Sequence, residues 1–397
     1  MDSMKLTEGI YNVGVRDWNI RDFHGYSTHK GTTYNAFLIV DEKIVLIDTV
    51  KKEFGDKLLE NISSIVDPKK IDMVISNHSE MDHTGSLTRI MHFIGEEKPV
   101  LCSKLGKKNI EAHFGKDKLN LNPVKSGEEI STGSKTLSFL ETRMLHWPDS
   151  MFTYAKEDKI LFSSDAFGQH YSGWATFDDE LSEEEWTNHA KKYYANILLP
   201  FSGLVKKVIS DIEKANLEVN MICPDHGLIF RKDQAKIIGL YKEWSELKPS
   251  KKAVIIYDSM WNSTRKMAEV IAETIADQKI DVISMNTRKW DRSEIITEVL
   301  DAGAVLIGSP TLNNNIFPAL SDILTYMKGL KPKNKIGAAF GSYGWSGEAV
   351  GILNSYMEEI GFDVVDEGIK VQYIPEEADF EKCRNLGLKI SEQLNNL

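Results

Sequence analysis

Residues 253–397 alternate short apolar runs with amphipathic segments, and this alternation constrains the fold more than any other feature of the 397-residue chain. AVIIY (253–257), DVISM (281–285), AVLIG (304–308), KIGAAFG (335–341) and FDVVDEGIKV (362–371) read as strands. After the first, Met267, Val270, Ile271 and Ile275 recur at helical spacing; further helices are predicted near 293–300, 318–327, 347–359 and from 377. Five βα units in series can cover both sheet faces only as a doubly wound, five-stranded parallel sheet, with any ligand at the carboxyl ends of the strands.

Upstream the rhythm differs. Strands are predicted at 31–40, 43–50, 73–78, 99–103, 136–142, 159–165 and 221–226, with helices at 53–64 and in 181–215, where Ser182 can cap a first turn holding Glu183, Glu184 and Glu185. Many strands with outer helices point to a layered α+β, αββα arrangement. The polar, Pro-containing ELKPSKK (246–252) reads as a linker, so domains are expected at 1–249 and 250–397. A net charge of −11 repels phosphate backbones, which argues against a nucleic-acid partner. Cys102, Cys223 and Cys383 are scattered and form no C-x-x-C, so neither a disulfide framework nor a thiolate metal site is indicated. No stretch reaches about 18 apolar residues and the first residues lack a signal-peptide pattern, so no membrane span and a cytoplasmic location are expected.

His78-x-Glu80-x-Asp82-His83 places four potential ligands within six residues at the end of an apolar strand. His146, Asp165 and His226 sit at or just after other strand ends. Each alone would read as a turn histidine, a cap or an exposed acid; together they are donors whose burial would be costly without a cation. Four imidazoles and three carboxylates exceed what one tetrahedral zinc needs and suit two metals with open positions, with Asp165 able to bridge. The order H-x-[HE]-x-D-H followed by His, Asp and His resembles the metallo-β-lactamase fold. Glu80 stands where hydrolases of that superfamily usually carry His, and the hard carboxylate favours iron over zinc. In this the chain resembles the flavodiiron proteins. The resemblance implies that His78, Glu80 and His146 hold one iron, Asp82, His83 and His226 the other, and Asp165 bridges them. It also makes His24, His170, Tyr193 and Tyr194 candidates for orienting ligands or donating protons, with His24 and Tyr193 placed first.

The loop after AVIIY, with Ser259, Met260, Trp261, Asn262, Ser263 and Thr264, feeds a helix N-terminus and can surround a phosphate with hydroxyls and backbone N–H groups. Pro310, Thr311, Leu312, Asn313, Asn314 and Asn315 follow the third strand and offer amides to the polar edge of a flavin ring. Ser342, Tyr343, Gly344, Trp345, Ser346 and Gly347 follow the fourth and offer aromatic faces for stacking. The G-x-x-G-x-x-G spacing of Gly341, Gly344 and Gly347 is not a dinucleotide fingerprint. These loops resemble the FMN-binding loops of flavodoxins.

Both halves together resemble a flavodiiron protein: a metallo-β-lactamase-like αββα sandwich followed by a flavodoxin-like domain. The resemblance implies an oxidoreductase that relays electrons through FMN to two non-haem irons and reduces O2 to water, NO to nitrous oxide, or both. It further implies an external donor, rubredoxin in the family's usual arrangement, and a head-to-tail homodimer or a tetramer. A zinc hydrolase fused to a flavodoxin, or an electron carrier whose metal half is only structural, are the competing readings; metal content distinguishes them.

Overall fold

The alternating tract folds as its period demands. In the computed structural model, which describes residues 3–397, Ser250–Tyr257 lies between Asp281–Asn286 and Ala302–Gly308, and Ile336–Tyr343 follows, every pair parallel. The fifth position is divided: Asp363–Val364 pairs with the start of Ile336–Tyr343 and Ile369–Gln372 with its end. The break has a local cause. Gly368 has a φ of 92° and its N–H donates to Asp366 Oδ1 at 3.0 Å, a tight turn that no continuous strand can hold. Helices Ser263–Asp277 and Glu377–Asn395 cover one face, packing Met267, Ile271 and Ile275 with Leu386, Ile390 and Leu394 over Ile255 and Leu306. Arg292–Val299, Pro318–Leu330 and Ala349–Ile360 supply the remaining helical layer.

The strand that opens this sheet begins at Ser250, inside the stretch expected to be a linker. Lys252 misleads a sequence reading because it is polar yet buried: its ammonium meets Glu298 Oε2 at 2.5 Å and Asp301 Oδ1 at 3.0 Å. Residues Tyr194–Ser202 group with Glu243–Leu397 into one compact unit, and the chain up to Tyr193 groups with Gly203–Lys242 into the other. The helical 181–215 region is accordingly interrupted. Glu183–Tyr193 gives way to a wide π turn at Tyr194–Leu198 and a short Pro-containing turn at Leu199–Phe201 before Ser202–Lys214 resumes.

In the first unit two sheets lie face to face. Met4–Thr7, Ile10–Asn12, Phe37–Val40, Ile44–Ile47, Ile71–Ser76, Val100–Ser103 and Leu121–Val124 form one in that order, and Glu129–Ser131, Thr136–Glu141, Met151–Ala155, Ile160–Ser164 and Met221–Pro224 the other. Phe37, Ile39, Val45 and Ile47 pack against Leu137, Phe139, Met151 and Phe162 between them. The opposite face of the first sheet buries Leu46, Val74 and Val100 under Leu58, Ile62, Ile90 and Met91 of helices Gly55–Ser63 and Leu87–Ile94. The strand expected at 31–40 is two, because Asn35 leaves the ladder: its N–H donates to Asp225 O at 2.7 Å and its amide to Pro224 O at 2.8 Å. That detour brings Thr32 and Thr33 to the end of the sandwich where the strand-end histidines collect.

Candidate metal centre and flavin cleft

Four loops that follow strands carry the seven candidate ligands, one of them holding His78, Glu80, Asp82 and His83. His78 lies two residues beyond Ile71–Ser76, Asp82 and His83 on the single turn Met81–Thr84, and Asp165 directly after Ile160–Ser164. His226 lies two residues beyond Met221–Pro224, and His146 between Thr136–Glu141 and Met151–Ala155. The donors gather into two groups: His78, Glu80, His146 and Asp165 in one, Asp82, His83 and His226 in the other. Asp165 faces both. Its Oδ2 is 3.4 Å from His78 Nε2 and 3.1 Å from His146 Nε2, while its Oδ1 is 3.2 Å from His83 Nε2 and 3.4 Å from His226 Nε2. Glu80 Oε2 completes one side at 3.3 and 3.1 Å from His78 and His146, and Asp82 Oδ2 the other at 3.2 and 3.1 Å from His83 and His226.

These spacings fit cations. Donors bonded at about 2.1 Å to one ion stand roughly 3.0–3.4 Å apart for octahedral to tetrahedral angles. Both oxygens of Asp82 and of Asp165, and Nε2 of His83, His146 and His226, are buried without a hydrogen-bond partner, a costly condition unless they share a metal. The imidazoles turn Nδ1 outward. His78 Nδ1 meets Asp149 Oδ2 at 3.3 Å, His226 Nδ1 donates to Thr33 O at 2.7 Å, and His83 Nδ1 stands 3.6 Å from Asp225 Oδ2. Burial opposes the charge of Asp165, yet His83, His146 and His78 hold its carboxyl well below the usual range. Burial likewise opposes charge on His146, but Asp165 and Glu80 raise it to about 9. The pocket therefore demands positive charge.

Around this centre, His24 sits at a hairpin tip between Asp22–Phe23 and Tyr26–Ser27, where it and Gly25 have φ of 55° and 78°, as a two-residue turn requires. Its Nε2 is 3.3 Å from Glu80 Oε1 and its ring stacks on Phe23 at 4.0 Å. His170 Nδ1 meets Thr32 Oγ1 at 2.8 Å, while its Nε2 and the hydroxyl of Tyr193, rings 5.2 Å apart, are buried without a partner. Burial, with His226 and His24 nearby, holds His170 well below its ordinary value, and burial beside Asp165 raises Tyr193. Tyr194 instead donates to Ser202 Oγ at 3.0 Å. Asp48 is buried and accepts from Asn77 N at 2.7 Å and Nδ2 at 2.9 Å, fixing the residue before His78. Burial, partly offset by His83, pushes it up to about 6. Sequence reasoning missed Asp149 and Asp225; their only signal was proximity to His146 and His226.

The second unit carries a cleft of about 640 Å³ at the carboxyl ends of its central strands. Met260, Trp261 and Ser263 line it from the first loop, Pro310, Thr311, Leu312 and Asn313 from the second, and Ser342, Tyr343, Gly344 and Trp345 from the third. Tyr373 and Ile374, unforeseen from sequence, close it from beyond Ile369–Gln372. The other expected residues lie beside these lining residues in the same three loops. Thr264 Oγ1 meets Ser342 Oγ at 2.9 Å, Ser259 Oγ accepts from Arg265 N at 3.4 Å, and left-handed Asn262 immediately precedes helix Ser263–Asp277. Leu312 and Asn315 exchange backbone hydrogen bonds of 2.9 Å, Asn314 turns to Glu348 Oε1 at 3.2 Å, and Gly347 packs on the Tyr343 ring ahead of Ala349–Ile360, with Ser346 before it. Aromatic walls next to a helix N-terminus suit a flat ring bearing a phosphate.

A donor set for two metals at the end of an αββα sandwich, with a flavin-shaped cleft on a doubly wound sheet, defines a two-domain metal- and flavin-dependent oxidoreductase. Comparisons agree. Residues 32–227 match the ODP family beta lactamase model and residues 255–387 the flavodoxin model. The chain is 45% identical over 392 residues to a nitric oxide reductase of Moorella thermoacetica, covering 98% of each chain. It is 44% identical to a rubredoxin-oxygen oxidoreductase of Megalodesulfovibrio gigas, covering 99% of this chain and 98% of that one. The solved structure of the flavodiiron protein from Giardia intestinalis, 33% identical, superposes with a TM-score of 0.96 over 100% of this chain and 97% of that one. The chain belongs to the flavodiiron family.

Proposed function

We propose that this chain carries FMN and two non-haem irons and reduces O2 to water, NO to nitrous oxide, or both, in detoxification of these gases. The observation that carries the reading is Asp165: a fully buried carboxylate whose two unpartnered oxygens each face a different pair of imidazoles. His78, Glu80 and His146 hold one iron, Asp82, His83 and His226 the other, and Asp165 spans them. When bound, the iron pair supplies two adjacent reducing metals and the flavin an electron store that accepts pairs and releases them singly. Trp261, Trp345 and Tyr373 flank the flavin ring, and the start of helix Ser263–Asp277 with Ser259, Asn262 and Thr264 receives the phosphate. Both reductions consume protons. The Tyr193 hydroxyl, kept protonated by burial, and His24 Nε2 beside Glu80 are the groups placed to deliver them.

Glu80 favours this reading over a zinc hydrolase, since a carboxylate there hardens the donor set. A relative's name, rubredoxin-oxygen oxidoreductase, supports rubredoxin as the electron donor. Among the described residues no helix is long and apolar enough to cross a membrane, which accords with a cytoplasmic enzyme. The working form is a head-to-tail homodimer or a tetramer of it, and a monomer with full turnover in sedimentation-coupled assays would refute that. Metal and flavin analysis of protein expressed with iron available tests the centre: about two irons and one FMN per chain are expected, and zinc alone or no metal would reject it. Oxidation of the reduced enzyme by each gas in single turnover then reads its preference.

A further inference from the structure

Asp149 stands between the two loops that carry His78 and His146. Its Oδ2 accepts from Ser79 N at 2.7 Å and lies 3.3 Å from His78 Nδ1, and its Oδ1 accepts from Asn109 Nδ2 at 3.2 Å. Asn109 also donates to Ser79 Oγ at 3.0 Å, and Ser103 Oγ donates to Asp149 O at 2.7 Å while accepting from Gly106 N at 3.0 Å. Asp149 is buried and follows His146 by three residues. At the other metal position no carboxylate is hydrogen-bonded to an imidazole: His226 Nδ1 donates to the neutral Thr33 O at 2.7 Å, and His83 Nδ1 is 3.6 Å from Asp225 Oδ2 and makes no hydrogen bond.

We infer that Asp149 is a positioning residue for one metal only, that of His78, Glu80 and His146. An N–H held on Nδ1 by a carboxylate leaves the Nε2 lone pair pointing into the site and raises its basicity, and the same carboxylate locks the Ser79 backbone and, through the chain, the His146 turn. The inference rests on the metal assignment proposed above and predicts unequal irons: one with a histidine tied to a carboxylate, the other with one histidine on a backbone carbonyl and one without an outer hydrogen bond.

Chelator competition gives iron affinity for wild type, Asp149→Ala and Asp149→Asn, and Mössbauer spectra of protein loaded with enriched iron read the two metals separately. Loss of an outer carboxylate partner is expected to cost about 10–100-fold in affinity. In Asp149→Ala this loss, and a changed quadrupole doublet, should fall on one iron while the other keeps its wild-type values. Asp149→Asn, which still accepts from Ser79 N but lacks the charge, should lie between; if the alanine variant does not fold, this variant with Asn109→Ala decides. Equal loss at both irons, as general loosening would give, overturns the inference, as do unchanged affinities and spectra in both variants; either leaves the diiron reading standing. A wild-type chain that takes up no iron overturns both.

Discussion

Gly341→Ala tests the architecture of the flavin cleft at one atom. Gly341 lies in Ile336–Tyr343, and a Cβ built there would stand 1.9 Å from the backbone oxygen of Ser309 and 3.4 Å from Val350 Cγ2. The oxygen is main chain and cannot rotate away, so the two backbones must part by about 1 Å or more. That movement pulls on Ser309 N to Phe340 O at 3.1 Å and Thr311 N to Ser342 O at 2.8 Å, the bonds that fix the loop forming the cleft's second wall. Overpacking costs about 1–3 kcal/mol and each of the two weakened hydrogen bonds about 1 kcal/mol, so the unit should lose roughly 3–5 kcal/mol. For a unit of this size that lowers the melting midpoint of the flavin-free protein by roughly 6–20 °C. FMN affinity should fall about 10–100-fold, the equivalent of 1.4 to about 2.8 kcal/mol in wall contacts. Calorimetry and fluorescence titration of the flavin measure both, with iron content as the unaffected control. Gly351→Ala, in helix Ala349–Ile360 with nothing within 4 Å of its Cβ, should be neutral or stabilising by up to about 1 kcal/mol. If Gly341→Ala binds FMN like wild type with an unchanged midpoint, the steric reasoning is wrong.

Asp165→Asn keeps the volume but turns one oxygen into a donor, so whichever way the amide faces one pair of imidazoles loses its carboxylate; metal analysis should fall from about two irons to about one per chain, and two retained would refute the bridge. Tyr193→Phe should leave iron and FMN content unchanged while slowing turnover about 100-fold, and an unchanged rate would remove Tyr193 from proton delivery. Lys252 supplies a pH prediction. Burial lowers its pKa, but Glu298 and Asp301 outweigh this and raise it overall. A raised folded-state pKa means that its contribution is complete below the unfolded value of about 10.4 and fades as pH rises through the folded one. Lys252→Met should cost about 1–2 kcal/mol at neutral pH, because its partners are partly exposed, and should show a shallower loss of stability than wild type above about pH 10. Identical alkaline unfolding curves would contradict this.

The parts of the molecule legible in the sequence are those whose reason for existing is local. Strand and helix periods in 253–397 write the doubly wound sheet directly, and His78, Glu80, Asp82 and His83 fall within one strand-end turn. Asp149 carries no such mark, because its role arises from partners at 78, 79, 103 and 109 that meet it only after two loops fold together. The splitting of 31–40 is equally tertiary, since it depends on Asn35 finding Pro224 and Asp225. Tyr373 and Ile374 escaped notice because the broken fifth strand hides where it ends. Asn314 and Asn315 are polar residues in the right loop, but positive φ at Asn313 and Asn314 closes the turn on itself and points Asn314 to Glu348.

Glu80 explains more of the centre than a preference for iron. Among the described residues the ion-pair partners of Glu80, Asp82 and Asp165 are all histidines, so with neutral imidazoles the site gathers three carboxylates, Asp82 and Asp165 buried and Glu80 partly so, with no ion pair to a lysine or arginine. Two divalent cations would offset that charge, and under the proposed assignment the donors would divide evenly: two imidazoles and one terminal carboxylate on each side, with Asp165 facing both. A histidine at position 80 would leave one metal with three imidazoles and the other with two imidazoles and a carboxylate, an asymmetry suited to a hydrolase in which one metal activates water while its neighbour polarises the substrate. With the donor types matched, no such asymmetry is built into the donor count, so a difference between the two positions must come from how their histidines are held, as His78 is by Asp149.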